Sequence, residues 1–246
     1  MDYENLLKLV QKRRSIRRFK KDLLPDDYID KIIEVARWAP SAFNTQPWEF
    51  VVVRDQLLRG KIVEIINFYL SQIPEMEKTR EAWQGRPWQA KGLINTDGDY
   101  SEAPVYIILY GDIRTQVALP MGVRYEKQRK EILFTSSLAN AFVYMHLAAT
   151  TLGLAAQWVS GVQNAYANTL IRDLLGIPPE MEIFDMVALG YPALKPSDKF
   201  LRDREEMTHY DCCTSDDFRS DEAVRDFSKK TRSWNIGVHN RDKQQT

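Results

Sequence analysis

The stretch from Ser137 to Leu152 constrains the fold of this chain more than any other feature. The spacing predicts a helix whose surface is apolar or small on nearly every side: Leu138, Ala139, Ala141, Phe142, Val143, Met145, Leu147, Ala148 and Ala149. Such a helix has no side suited to water, so it must be covered almost all round. It is therefore either the central helix of one domain or part of a dimer interface. His146 on this helix is interpreted as a packed or hydrogen-bonded core residue.

Short apolar strands and amphipathic helices are predicted on both sides of this helix. The strands are Glu49–Val53, Val105–Tyr110, Ala155–Val159 and Phe184–Gly190. Helical spacing occurs at 3–10, from about 26 to 39, at 57–72 and at 164–175, where Gly176 provides the stop. This mixture predicts an α+β fold with a sheet flanked by helices. The 246 residues favour one large domain over two.

Composition and motifs exclude several classes of function. Lys+Arg and Asp+Glu each number 34, so the excess positive charge that nucleic-acid binding requires is missing. No apolar run is long enough to predict a transmembrane span. The three histidines lack the spacing of metal ligands, and the sequence contains no nucleophile elbow, P-loop or Gly-x-Gly-x-x-Gly motif. The only cysteines, Cys212 and Cys213, are adjacent, which indicates reduced thiols and a cytoplasmic protein.

Two segments near the N-terminus indicate a site for a phosphate and a heterocycle. Arg13–Phe19 contains four arginines and a serine, and guanidinium groups bind phosphate oxygens through two donors at once. Ala39–Trp48 is rich in Pro, Ser and Asn and follows a predicted helix, so its hydroxyl and amide groups are suited to the edge of a planar ring. A mononucleotide cofactor needs both kinds of contact.

In this order and separation the two segments resemble the flavin-dependent nitroreductase family. Gly153-Leu154 leading to Trp158–Gly161, then Leu189–Pro192 and a basic stretch ending at Arg202, extend the resemblance over about residues 3–210. The resemblance implies a central, mostly antiparallel sheet flanked by helices and a domain-interlocked homodimer. It also implies FMN, NADH or NADPH as reductant, and a ping-pong reaction in which a small organic acceptor, such as a nitroaromatic, a quinone or an enone, replaces the nicotinamide. No catalytic side chain and no metal are implied.

The resemblance assigns cofactor contacts to individual residues. Arg13, Arg14, Ser15 and Arg17 match the segment that holds the FMN phosphate, the ribityl chain and one edge of the ring. Arg202 matches a second basic residue at the phosphate, and Pro40, Ser41, Ala42 and Asn44 match a segment contributed by the other subunit. Trp158, Val159, Ser160 and Gly161 match the loop behind the flavin, where the N–H groups of Ser160 and Gly161 face flavin N5 and O4.

Two long stretches and the C-terminal tail fall outside this pattern. Residues 74–103 and 112–135 are interpreted as lids over the acceptor, and Trp83, Trp88 and Tyr125 are predicted to include a residue that lines its site. The charged run 124–131 is alternatively a solvated helical face. We expect one flavin-binding domain over 1–211, followed by an extension, 212–246, that is either partly disordered or wrapped around the partner subunit.

Three alternative functions remain open at this point. Iodotyrosine deiodinases share the Arg-Arg-Ser-Ile-Arg and Asn-Thr-Gln-Pro-Trp segments closely, but residues 75–83 lack the Glu-x-x-x-Tyr with which those enzymes grip their substrate. Flavin-destroying synthases of dimethylbenzimidazole also resemble this region. A flavin-binding protein without turnover is the third alternative.

Overall fold

The protein, for which we use a computed structural model, is described at residues 2–72, 100–196 and 199–235. The chain divides into two compact units at residues 196 and 197. The strands of the first unit are β1 (Trp48–Val53), β2 (Val105–Asp112), β3 (Ala155–Val159) and β4 (Met181–Gly190). Its helices are α1 (Tyr3–Lys12), α2 (Asp26–Ala36), α3 (Gln56–Leu70), α4 (Met121–Arg124), α5 (Lys127–Thr151) and α6 (Ala165–Leu175). The second unit contains α7 (Asp221–Asn235).

The four strands form one sheet in the order β1-β2-β4-β3, and every neighbouring pair is antiparallel. Helices cover both faces, so the predicted α+β fold with an antiparallel sheet flanked by helices is confirmed. In β2, Val105, Ile107 and Leu109 pack with α2 and α5, whereas Tyr106, Ile108 and Tyr110 pack with α3 and α6. Successive side chains of a strand point to opposite faces, and here both faces are buried, which explains the unbroken apolar run of this strand.

Helix α5 is the central helix of the first unit, as one of the two interpretations of its sequence predicted. By length and composition it is apolar enough to cross a membrane, but half of that apolar window is buried inside the protein, as in the core helix of a globular domain. It packs against α1, α2 and the sheet. Buried His146 on α5 is packed between aromatic rings, but neither ring nitrogen has a hydrogen-bond partner among the described residues. Of the two interpretations of His146, a packed core residue is confirmed, and no hydrogen bond to its ring is found among the described residues.

Residues 112–135 do not form one long loop, and the alternative prediction of a solvated helical face at 124–131 is confirmed from Lys127 onward. A 3-10 turn at Ile113–Ala118 is followed by α4, and α5 begins at Lys127, so the charged run is largely an exposed helical face. Two ion pairs have the spacings of such a face: Glu126 pairs with Arg129 at i,i+3, and Lys127 pairs with Glu131 at i,i+4. Tyr125, in the turn before α5, is 81% exposed, and Trp83 and Trp88 lie outside the described residues. The proposed role of these rings at the acceptor stays a prediction.

The second unit is built around α7. Phe227 on this helix packs against the ring of Phe200, with ring centroids 5.6 Å apart, and the Arg219 guanidinium lies 5.3 Å from the centre of the Phe227 ring. Thr214 and Asp217 close a capping box on the preceding 3-10 turn. Cys212 and Cys213 are exposed and are not joined to each other. The division at residue 196 lies before the predicted boundary at 211, and the role predicted for the tail stays a prediction.

Gly111, at the end of β2, is required by the close approach of α5. A Cβ added there would lie 2.4 Å from Cζ of Phe134 and 2.7 Å from a methyl carbon of Leu138. We expect Gly111→Ala to lower the free energy of unfolding by about 1–3 kcal/mol, the usual cost of overpacking a core. Gly60→Ala is the matched control, because Gly60 lies in α3 with open space around it. Chemical denaturation should show that the control is unchanged or stabilised by about 0.5–1 kcal/mol, and equal behaviour of the two variants would contradict the packing argument.

Candidate functional site

The arginine segment lies along the free edge of β3. Helix α1 ends at Lys12, and the extended backbone of Arg13 directs the chain onto the sheet. Ser15 pairs with Ala156 in a parallel bridge, and the Ile16 N–H donates to the Ala156 carbonyl. Phe19, which is buried, then pairs with Pro192. The segment thus covers an edge strand that would otherwise present unpaired backbone groups.

The arginines of this segment have no acidic partner in an ion pair within the part of the chain that the structure describes. Among the described residues, no carboxylate forms an ion pair with Arg13, Arg14 or Arg17. Arg14 instead donates to the carbonyl groups of Gln11 and Arg13. Burial, and secondly the charge of Arg14, lower the pKa of Arg13. Clustered cations, of which Arg13 and Arg14 are partly buried, are suited to binding an anion when no counter-charge neutralises them.

The Pro/Ser/Asn-rich segment forms a strained turn that is fixed to the middle of α5. Three non-glycine residues have left-handed backbones: Phe43 (φ 52°), Asn44 (φ 54°) and Gln46 (φ 44°). The Ala42 N–H donates to Ser137 Oγ at 3.0 Å, and Asn140 Nδ2 donates to the Pro40 carbonyl at 3.0 Å. Left-handed residues of this kind persist only where surrounding contacts enforce them, and they occur most often at functional sites.

Within the turn, side chains complete the hydrogen bonding. Ser41 Oγ accepts from the Gln46 N–H at 3.0 Å, and Thr45 Oγ1 donates to the Ala42 carbonyl at 3.0 Å. Asn44 Oδ1 accepts from Gln46 Nε2 at 3.2 Å. With the turn held in this way, Phe43 lies outside the core and is 57% exposed.

Ser137 is the buried tie between the turn and α5. Its Oγ accepts from Ala42 and donates to the Leu133 carbonyl at 2.7 Å, and the residue is 1% exposed. We expect Ser137→Ala to cost about 1–3 kcal/mol of unfolding free energy, because the Ala42 N–H is left without its acceptor. Ser136→Ala is the control, since exposed Ser136 also donates to Leu133 but does not contact the turn. Thermal melts of the two variants at one protein concentration test this, and a control as unstable as Ser137→Ala would refute it.

The loop predicted to lie behind a flavin is the turn that ends β3. Val159 is buried at the strand's end, and Ser160 and Gly161 open a 3-10 turn, Ser160–Gln163. The first N–H groups of such a turn have no carbonyl partner within it. A Cβ on Gly161 would lie 2.7 Å from Cγ2 of Ile66, so this backbone packs closely against α3.

Several of the predicted site residues are brought together at β3 and others are not. Arg13 is close enough to His146 for its charge to act on the imidazole, and His146 stacks on Trp158 with ring centroids 5.9 Å apart. The arginine segment and the end of β3 therefore share one neighbourhood. The strained turn contacts α5 at Ser137 and Asn140, about 13 and 9 Å along the helix from His146. Arg202 belongs to the second unit, where it donates to the Glu206 carbonyl at 2.7 Å.

Sequence reasoning missed two residues beside β3, Asp185 and Gln163. Asp185 Oδ2 accepts hydrogen bonds from Trp158 Nε1 at 2.6 Å and from Gln163 Nε2 at 3.0 Å. Burial raises the pKa of Asp185 to about 7, although both hydrogen bonds act in the opposite direction. Burial, and secondly Arg13, lower the pKa of His146 to about 4. The only signal that the sequence offered for Asp185 and Gln163 was one acidic residue inside an apolar strand, Phe184–Gly190.

Comparison with known proteins gives a consistent result. A sequence model described as the nitroreductase family matches residues 10–191. The NADH dehydrogenase of Thermus thermophilus is 32% identical over 200 residues, which cover 74% of this chain and 84% of that protein. The iodotyrosine deiodinase of Hydra vulgaris is 31% identical over 186 residues, which cover 74% of this chain and 62% of that protein.

Among solved structures, a nitroreductase with bound FMN from Bacteroides fragilis has a similar fold. The superposition has a TM-score of 0.62 and covers 86% of this chain and all of the other, with 20% sequence identity. At this identity the likeness concerns the arrangement of the chain.

Proposed function

Because the chain belongs to the nitroreductase family, whose matched relatives carry oxidoreductase names, we propose that it is an FMN-dependent oxidoreductase. It takes electrons from NADH or NADPH and passes them to a small organic acceptor of the nitroaromatic, quinone or enone type. Oxidoreductase activity follows from the family at a coarse level. FMN, the nicotinamide and the acceptor class are our proposal, and the FMN bound to the Bacteroides fragilis relative supports it.

The observation that carries the proposal is the arginine segment on the edge of β3. Its guanidinium groups lack acidic partners among the described residues, and partial burial makes an unneutralised charge at Arg13 unfavourable. A phosphate supplies two negative charges and forked acceptors that fit these donors. The residues present therefore fit a mononucleotide.

In this proposal each part of the site has one task. Arg13, Arg14 and Arg17 hold the phosphate, and Ser15 contacts the ribityl chain or the ring edge. The turn from Trp158 to Gly161 supports the ring, with the N–H groups of Ser160 and Gly161 directed to it. Bound FMN supplies hydride acceptance and donation, which no side chain of this chain can perform. The protein's contribution is orientation and electrostatics, so we assign no acid, base or nucleophile.

The strained turn is assigned to the flavin of the partner subunit. Within one chain the turn is hydrogen-bonded to α5 at Ser137 and Asn140. Among the described residues, no hydrogen bond or ion pair joins it to the arginine segment. A second copy supplies the turn in an interlocked homodimer, and we keep the proposals that Arg202 contacts the phosphate and that residues 212–246 wrap the partner. The cytoplasmic location inferred from the cysteines also stays a prediction.

Two measurements test the proposal. Purified protein should be yellow or become so on titration with FMN, and anaerobic NADH or NADPH should bleach the flavin absorbance. A protein that takes up no FMN would refute the cofactor, whereas one that binds FMN and stays oxidised would be a flavin-binding protein without turnover. A panel of nitroaromatic, quinone and enone acceptors, assayed on FMN-loaded protein, then identifies the acceptor class.

Reductive dehalogenation is the second candidate, favoured by the similarity to the Hydra vulgaris deiodinase. The substrate-gripping motif of those enzymes is missing from residues 75–83, which lie outside the described residues. Including an iodotyrosine in the acceptor panel separates the two functions, because only a deiodinase releases iodide from it.

A further inference from the structure

A β-bulge directs Asp185 toward the end of β3. Leu109 of β2 pairs with Asp185 and the next residue, Tyr110, pairs with Ile183, so Phe184 is an extra residue in β4. Beyond the bulge the side chains alternate normally between the two cores. At the bulge, Phe184 packs on the α5 side, and the Asp185 carboxyl also meets Trp158, whose ring contacts α5. Bulges commonly redirect one side chain in this way beside functional sites.

The Asp185 carboxyl joins two residues that lie on either side of Ser160 and Gly161. Trp158 lies in β3 before the 3-10 turn and Gln163 is the last residue of that turn, and both donate to the same oxygen, Oδ2, at 2.6 and 3.0 Å. Gln163 Nε2 also donates to the Phe184 carbonyl at 2.6 Å, which ties the turn to the bulge itself. One buried acceptor thus sets the distance between the two residues on either side of Ser160 and Gly161.

Packing leaves the turn little freedom to compensate for the loss of this acceptor. Gly161 lies against Ile66 of α3 on one side. On the other side the Trp158 ring packs between Phe142, 4.5 Å away, and His146, 5.9 Å away, as measured between ring centroids. The carboxyl therefore fixes a backbone that is already confined by apolar contacts on both sides.

We propose that Asp185 is a positioning residue for the cofactor, acting through Trp158 and Gln163 to hold the Ser160 and Gly161 N–H groups toward the flavin ring. This inference rests on the proposed function. Asp185 is 2% exposed and its Oδ1 has no hydrogen-bond partner among the described residues. Such a buried carboxyl is retained at a cost in desolvation, which a mere filler of the core would avoid.

The raised pKa of Asp185, about 7, means that this acceptor is largely protonated in slightly acidic solution. A proton on Oδ1 leaves Oδ2 free to accept from both donors, so the tie between the flanking residues survives either charge state. This property makes asparagine a conservative replacement, because its single carbonyl oxygen can take the place of Oδ2.

The test compares Asp185→Leu with Asp185→Asn. Leucine fills a similar volume without an acceptor, and asparagine keeps one. We expect Asp185→Leu to weaken FMN binding about tenfold or more, as the loss of one or two buried hydrogen bonds predicts, and to shift the flavin midpoint potential. Asp185→Asn should retain wild-type affinity within about threefold, a difference below one hydrogen bond. Glu182→Leu, on the exposed end of the same strand, controls for added hydrophobicity.

A loss of stability alone would not show a positioning role, so the readouts are FMN affinity and midpoint potential. Thermal melts of the apoprotein are measured in parallel. Should Asp185→Leu fail to fold, Gln163→Leu removes one of the two donors and should also weaken FMN binding and shift the midpoint potential from the wild-type value. Wild-type affinity and potential in Asp185→Leu, or in Gln163→Leu when it stands in, would overturn the inference. A wild-type protein that binds no FMN overturns the proposed function instead, which keeps the two failures distinct.

Discussion

Arg13→Ala is expected to weaken FMN binding about ten- to hundredfold, because each charge-assisted hydrogen bond to a phosphate contributes about 1.5–3 kcal/mol. Arg17→Ala should have an effect of the same order. Both residues lie on the segment that covers β3, and neither has an acidic partner among the described residues that would retain the guanidinium in another role. Fluorescence titration of the apoprotein with FMN measures the change directly.

The matched control for this prediction is Lys12→Ala. Lys12 carries the same charge one residue earlier, at the end of α1, and its side chain is exposed. If the arginines contact the phosphate, Lys12→Ala should change the FMN affinity only slightly and Arg13→Lys should give an intermediate loss, because an ammonium group cannot bind two oxygens as a guanidinium does. Unchanged affinity in both arginine variants would refute the phosphate role.

Opposite pH dependences of stability are expected from His146 and Asp185. The pKa of His146 is lowered to about 4 by burial and Arg13, so its contribution to stability is present above about 6.5 and is lost as the pH falls toward 4. The pKa of Asp185 is raised to about 7 by burial, so its contribution is present below about 3.9 and is lost as the pH rises through 7. Between these limits the two effects nearly cancel in the wild-type protein.

Removing one of these two titrating side chains should reveal how the other makes stability depend on pH. In Asp185→Asn the unfolding free energy should rise with pH between about 4 and 6.5, and in His146→Leu it should fall, by at most about 1.4 kcal/mol per pH unit for one proton. Urea denaturation at fixed protein concentration over this range measures both slopes. Slopes of the same sign in the two variants would show that at least one of the two pKa shifts has been assigned the wrong direction. Arg13→Ala should raise the pKa of His146 as well, since it removes one of the two causes of the shift.

Much of the fold could be predicted because buried elements produce apolar runs or a regular apolar spacing in the sequence, and because glycine marks the end of a helix. Strand β2, the apolar part of α5 and the Gly176 stop of α6, whose φ is 65°, were all visible in this way. The first turns of α5 were predicted only as an alternative to a loop, because an exposed face built from Lys127, Arg129 and Glu131 has no apolar stripe. The family itself was predicted correctly from the separated segments that agree with it in order.

The site could be predicted only where the residue types themselves indicate the kind of ligand they bind. Clustered arginines and a Pro/Ser/Asn-rich turn are chemical signals, so both segments were found, although their contacts with a cofactor stay predictions. Asp185 gave no such signal, since its importance arises from a bulge in β4 and from partners on β3 and the turn that follows it. No local pattern in one sequence specifies a bulge that depends on the pairing of two distant strands.

The position of the arginine segment has a consequence for the order in which the protein matures. Ser15 and Ile16 are synthesised before most of the first unit, yet their backbone partner, Ala156, is synthesised only after most of it. Contacts between residues so far apart in sequence are slow to form, because a long loop must close first. We expect the phosphate-binding edge to be assembled late, after β4 has paired with β2, so that a nascent chain acquires affinity for FMN only when the sheet is complete.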